Sequence, residues 1–266
     1  MANPRTPNDR QDFPAEERPA EERHVHTRLT RLALAVEDSR AYWANLDPAL
    51  PSGPPRAIQA FEQRWFGGKS LARVRLLLTY FGARYDTFPA ALDVLRRWRT
   101  MDPATRHVIC HWHLQLTDPI YRAFTGDFLV QRRRSTRSEL NRDVVIRWMR
   151  TMYPDRWGSS TVIQFAKGLL AASSEAGLIT PHHDPRKPLV PKVSDRALEY
   201  MLYLLRTVSF DGTLADNAYF VSVGLETPFL GQRLRTLPGV HYQRMMDIDD
   251  FEWKYPSLQA WAKETL

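Results

Sequence analysis

The chain has 266 residues, 43% of them hydrophobic, so it can bury a sizeable core as one large domain or two small ones. Its net charge is +7 and its pI about 9.7, which favours a polyanionic partner; mean hydropathy is −0.44, and no apolar run approaches the roughly 20 residues of a membrane span. The single Cys110 excludes an internal disulfide framework and fits a reducing compartment, and the polar, proline-rich start excludes a signal peptide, so a cytoplasmic protein without membrane contact is expected.

In chain order, residues 1–25 carry Pro4, Pro7, Pro14 and Pro19 among charges, with an imperfect repeat at 14–18 and 19–23. Such a stretch buries too little to order itself and is expected to be a disordered acidic tail. Four arginines against six acids give residues 1–26 a charge of −2, leaving +9 on the rest. An N-terminal helical domain is then expected over 26–135. The leucines and Val36 suggest a helix from Thr27 to Leu46, and helical patterns follow at about 56–66, 70–84, 88–99, 103–116 and 118–132. Phe88-Pro89, Asp102-Pro103 and Asp118-Pro119 place proline at helix starts, where its missing N–H costs little.

The stretch 136–192 has the order of a winged helix-turn-helix: helix, turn, helix, two-stranded ribbon. Thr136 and Glu139 have capping-box spacing, and Leu140, Val144, Val145, Trp148, Met149 and Met152 form one apolar stripe. Pro154 and Gly158 mark the turn, and Ser159 or Ser160 can cap the second helix. Val162, Phe165, Ala166, Leu169, Leu170 and Ser173 make its buried side, whereas Ser160, Gln164, Lys167, Ala171 and Ser174 face outward. That small, polar face suits a major groove; Ser160, Thr161, Gln164 and Lys167 are its candidate DNA contacts. Gly177 stops the helix. Leu178–Thr180 and Pro188–Val190 would pair as a wing, with His182, His183, Arg186 and Lys187 at its tip, Arg186 and Lys187 meeting phosphates.

Residues 131–137, Gln-Arg-Arg-Arg-Ser-Thr-Arg, are the densest cationic run. Arg132, Arg133, Arg134 and Arg137, with Arg142 on the next helix, are expected to clamp phosphates and make affinity salt-sensitive. A solvated helix end is the alternative, since cations also suit a helix C-terminus. Residues 193–266 read as a C-terminal α/β extension packed on the rest: a helix from Ser194 to about Thr207, another near 229–234, a strand from His241 to Met246 and a closing helix from Ser257. The fold class expected is therefore mainly α, a helical bundle with a winged helix-turn-helix-like unit and a small β-ribbon.

Three chemical motifs are weak. Gly67-Gly68-Lys69-Ser70 lacks the earlier glycine of a phosphate-binding loop, Gln63 standing in its place. Cys110-His111-Trp112-His113 lacks a second ligand cluster for zinc and reads as core. Glu252-Trp253-Lys254, with Asp247, Asp249 and Asp250 upstream, has the Glu-x-Lys spacing of magnesium-dependent nucleases, and a nuclease using Asp247, Glu252 and Lys254 stays open beside a basic protein-interaction scaffold. No catalytic residue, metal site or cofactor is assigned.

From about Arg75 to Ile179 the chain resembles the BrxA family of bacteriophage-exclusion (BREX) defence systems. The likeness lies in the Cys110–Leu116 helix followed by Asp118-Pro119-Ile120-Tyr121, Phe124 and Asp127-Phe128-Leu129. It continues through Val144, Val145 and Trp148, then Ser159-Ser160-Thr161, Leu169-Leu170 and Glu175-Ala176-Gly177-Leu178-Ile179. The resemblance implies a mostly helical, cytoplasmic bacterial protein that binds double-stranded DNA without catalysis, in a neighbourhood of methyltransferase, phosphatase-like and ATPase partners. The acidic N-terminal stretch and the region after Lys192 depart from the family pattern.

Overall fold

The computed structural model describes residues 18–47, 49–181, 183–246 and 248–266. Among these the chain is mainly helical: α1 (Val36–Asn45), α2 (Pro54–Glu62), α3 (Leu71–Phe81), α4 (Pro89–Arg97), α5 (Pro103–Thr117), α6 (Pro119–Ala123), α7 (Leu129–Arg134), α8 (Arg142–Met152), α9 (Ser159–Glu175), α10 (Asp195–Leu205), α11 (Ala218–Ser222), α12 (Phe229–Leu234) and α13 (Leu258–Thr265). Wide π-type turns continue α3 through Gly82–Asp86 and join α6 to α7 through Phe124–Phe128. The one named sheet is an antiparallel pair, β1 (Val240–Met245) and β2 (Ile248–Trp253), in the register Val240↔Trp253 to Met245↔Ile248. Among the described residues no helix is long and apolar enough to cross a membrane.

Helix α5 is the axis of the core. Asp102 caps it by accepting from Thr105 N at 3.0 Å, and Pro103 opens it. From Val108 to Thr117 every side chain is buried, the signature of a helix packed on all sides. Its polar residues are therefore tied to other helices. His111 Nδ1 lies 2.9 Å from the Tyr121 hydroxyl and its Nε2 2.9 Å from Ser222 Oγ; His113 Nε2 lies 2.7 Å from the Tyr200 hydroxyl. Gln115 donates to Thr125 Oγ1 at 2.9 Å. One apolar cluster runs from Leu29 to Ala262 around this helix and includes Leu198, Tyr203 and Trp261 of the C-terminal segment.

The expected helix from Thr27 to Leu46 is broken. Arg28–Thr30 is a short 3-10 turn, and α1 begins only at Val36. Distant side chains take the intervening backbone groups: Arg84 donates to the carbonyls of Leu34 (2.6 Å) and Ala33 (2.8 Å), and Glu175 accepts from Ala35 N (2.9 Å) and Val36 N (2.7 Å). The expected tail is also shorter than residues 1–25. Residues 1–17 lie outside the described residues, but Ala20 bridges Ser209, and Glu21 is 3% exposed against Tyr219 and Arg122. A buried carboxylate with these partners anchors a segment whose composition alone does not.

Gly168, in the middle of α9, faces the Arg28–Thr30 turn. A Cβ there would sit 2.6 Å from the Leu29 carbonyl oxygen, a backbone atom that cannot step aside. Alanine at an exposed helical glycine normally gains up to about 1 kcal/mol. Here overpacking outweighs that gain, and we expect Gly168→Ala to destabilise the fold by about 1–2 kcal/mol in urea unfolding. Unchanged or raised stability would mean that α9 is not held against this turn.

Candidate nucleic-acid interface

Helix α8 starts six residues after Thr136, not at it. Asn141 is its cap, accepting from Val144 N at 2.9 Å, because Leu140 is occupied in a backbone pair: Leu140 N donates to the Arg186 carbonyl (2.8 Å) and Arg186 N to the Leu140 carbonyl (2.7 Å). An asparagine three residues before the apolar run was the readable signal; the long-range pair was not. Val145 and Met149 point inward, Val144 and Trp148 are partly buried, and Met152, expected in the stripe, is 47% exposed.

An aromatic ladder sets the angle between α8 and α9. Trp148 packs on Phe124 (5.2 Å between centroids), Tyr153 on Trp157 (5.5 Å) and Trp157 on Phe165 (4.7 Å). The intervening turn contains Pro154 and Gly158, as the sequence indicates. Gly158 is the cap position of α9, so neither Ser159 nor Ser160 caps it with its side chain. The helix ends in a Schellman arrangement at Gly177 (φ +73°): Leu178 N donates to the Ser173 carbonyl at 2.8 Å and Gly177 N to that of Ser174 at 3.0 Å.

The two faces of α9 divide as its periodicity indicates. Val162, Phe165, Ala166, Leu169, Leu170 and Ser173 are buried; Ser160, Gln164, Lys167 and Ala171 are exposed, and Thr161 and Ser174 are half-buried. Beyond Gly177 the chain doubles back. Leu189 N donates to the Leu178 carbonyl (2.7 Å) and Thr180 N to that of Lys187 (2.9 Å), with Ile179 opposite Pro188. Lys187 is exposed and His183 lies at the turn; His182 is outside the described residues. Arg186 is not at the tip. Its place in the Leu140 pair turns its side chain back, where it donates to the Leu170 carbonyl (3.3 Å) and pairs with Asp184 (3.1 Å).

Between the start of α8, the middle of α9 and this returning segment lies an open groove of about 490 Å³, lined by Asn141, Arg142, Asp143, Lys167, Leu170, Ala171, Asp184 and Arg186. Arg142, Lys167 and Arg186 therefore share one surface with the outer side of α9. Asp143 and Asp184, which the sequence reading left out of the site, temper its charge; Asp184 also accepts from Arg142 N at 3.4 Å.

The run 131–137 does not present its arginines as one row of free cations. Arg133 is half-buried: it donates to the carbonyl oxygens of Ser222 and Val221 at the end of α11, and loss of solvent pulls its pKa below the usual arginine value. It is a structural bolt rather than a free cation. Arg134 is exposed but pairs with Glu226. Arg132 lies over the Phe128 ring (5.4 Å) and donates to the Arg137 carbonyl (2.5 Å). Arg137 is exposed and only three residues from Leu140, so it sits within about 10 Å of the groove-side backbone pair. Arg147 and Arg150 add exposed cations on α8.

The other motifs resolve into structure. Lys69 pairs with Asp38 at 2.8 Å, and Ser70 caps α3. Cys110, His111 and His113 are wholly buried, with the Cys110 thiol pushed up to about 11 by burial. On β2, Asp249 accepts from the Tyr242 hydroxyl at 2.5 Å while Glu252 and Lys254 are exposed; Asp247 is outside the described residues. Among the described residues no group of three His, Cys, Asp or Glu side chains is placed to hold a metal ion.

No protein-family model and no curated protein matches this chain. Among solved structures, the crystal structure of an uncharacterized protein from Magnetospirillum magneticum is similar in fold, with a TM-score of 0.54 at 17% identity. The match covers 70% of this chain and 98% of that one, so the present chain carries additional segments on a shared helical architecture.

Proposed function

We propose that the protein binds double-stranded DNA through the outer face of α9, as a winged helix-turn-helix, without catalysing a reaction on it. In this reading α8 and α9 are the two helices, residues 178–180 and 187–189 form the wing, and Leu140 is the third short strand. The observation that carries it is the exposed row Ser160, Gln164, Lys167 and Ala171, bordered across the groove by Arg142 and Arg186, with Lys187 exposed on the returning segment. Short side chains let a helix approach base edges closely. Gln164 offers an amide suited to adenine, and Lys167 an ammonium for guanine or phosphate. Arg137, Arg142, Arg147, Arg150, Lys167 and Lys187 are exposed cations on or next to this unit. Arg132 supports it through Arg137, whereas Arg133 and Arg134 no longer belong to the contact set. On the family resemblance over residues 75–179, we place this activity in the cytoplasm, in a BREX-type phage-defence system, beside methyltransferase, phosphatase-like and ATPase proteins.

Titration of a random-sequence duplex by fluorescence anisotropy at two salt concentrations tests the proposal. With about four to six phosphate contacts, affinity falls about 100- to 1000-fold between about 50 mM and about 200 mM salt. Absence of duplex binding at the lower salt, with an acidic protein bound instead, would favour the scaffold reading.

A further inference from the structure

The β1–β2 hairpin carries a feature that the DNA reading does not use. Its base is anchored: Val240 and Tyr242 are buried, Tyr242 packs on Phe251 (5.0 Å between centroids), and a Cβ added at Gly231 of α12 would meet the Tyr242 ring at 3.6 Å. Past Tyr242 the alternation of a half-buried strand stops. Gln243, Arg244 and Met245 are all exposed, so neither face of the distal half rests on the core. Its end is apolar: Met245 is 57%, Ile248 69% and Met246 96% exposed. Large apolar side chains on both sides of one turn are unusual for an unpartnered surface.

The charge around this tip selects the occupant. Residues 240–253 hold Arg244 against Asp247, Asp249, Asp250 and Glu252, a net −3, on a chain of net +7. An acidic tip is repelled by nucleic acid and by anionic lipid, and it is attracted by the remaining +10 of its own sequence. A matching surface exists there. Leu189 (41% exposed) and Val190 (59% exposed) form an apolar spot flanked by exposed Lys187 and Lys192. The other neighbouring exposed pair, Ile58 and Phe61, has both Glu62 and Arg64 exposed beside it, so its local charge cancels and it lacks that complementarity.

We propose that the hairpin tip docks on the 187–192 segment of a second copy of this chain, and that the reciprocal contact closes a two-fold dimer. The contact shares Lys187 and Leu189 with the proposed wing, so DNA competes with it there, and it is read in the absence of DNA. Sedimentation of the full chain over a concentration series is the test. The expected result is a monomer–dimer equilibrium. It weakens by at least about 30-fold in Met246→Asp/Ile248→Asp, as for loss of an interface hot spot, while the urea midpoint, read at a dilution where both proteins are monomeric, stays at the wild-type value. Asp250→Lys and Lys192→Glu each weaken the dimer several-fold, and the two together restore it. A monomer at every concentration, a dimer indifferent to the tip substitutions, open-ended assembly, or no recovery in the charge swap would each overturn the proposal.

Discussion

Exchanging Arg142 and Lys167 for glutamate lowers the affinity for duplex DNA by at least about 100-fold at about 0.1 M salt, with the fold intact. Both side chains are exposed and line the same groove, one at the start of α8 and one on the outer side of α9. Each phosphate contact removed costs about tenfold at that ionic strength through lost counterion release, and the two new carboxylates add repulsion. The variant also shows a shallower salt dependence, by about two contacts. Neither residue packs in the core, so the thermal unfolding curve stays in place. Retained affinity in the folded variant would take this groove out of the binding surface. Arg133 is the instructive contrast. Reversing it removes the donor that closes the end of α11 and leaves carbonyls unsatisfied, so lost binding would report lost structure rather than a lost phosphate contact.

Acid destabilises the protein steeply below about pH 6.5, through two histidines that face no solvent. His111 and His113 are buried in α5, and burial pushes both down to about 3, with Arg133 adding to the effect on His111 and Arg84 on His113. Both are neutral in the folded chain. In the unfolded chain they take up protons below their ordinary value near 6.5. Between about 6.5 and 3 the unfolded state therefore binds more protons, and stability rises with pH through that window; it is fully present above it and lost as pH falls. At about pH 5 each histidine removes about 2 kcal/mol, so the pair removes about 4 kcal/mol. Asp118 acts in the opposite sense, since burial raises its pKa and the folded state holds its proton more firmly. In urea unfolding across pH the two histidines contribute an uptake approaching two protons near pH 5, which Asp118 offsets in part, and His113→Gln reduces the uptake by about one. A stability that stays level from pH 7 to pH 4 would contradict this account of the core.

The outer and inner sides of α9 were readable because seventeen consecutive residues keep a 3.6-residue period, and no long-range partner overrides it. The short helix at 229–234 and the strand entering at His241 were readable from local pattern as well. What the sequence hid depends on groups far away in the chain. The break before Val36 needs Arg84 and Glu175; the late start of α8 needs the Arg186 backbone. The ordering of residues 18–25 needs the surroundings of Glu21. A run of arginines looks like a solvated surface until one of them, Arg133, is found donating to the end of another helix. Glu226, which holds Arg134 from 92 residues away, carries no local signal linking it to that cation.

Placing a photo-activatable crosslinker at position 164, on the exposed row of α9, tests the central claim directly. If α9 lies in the major groove, irradiation with a random-sequence duplex yields a covalent protein–DNA adduct that disappears at high salt, while the same group at position 59 on α2 yields none. Duplex binding without an adduct from position 164, or equal adducts from both positions, would contradict it.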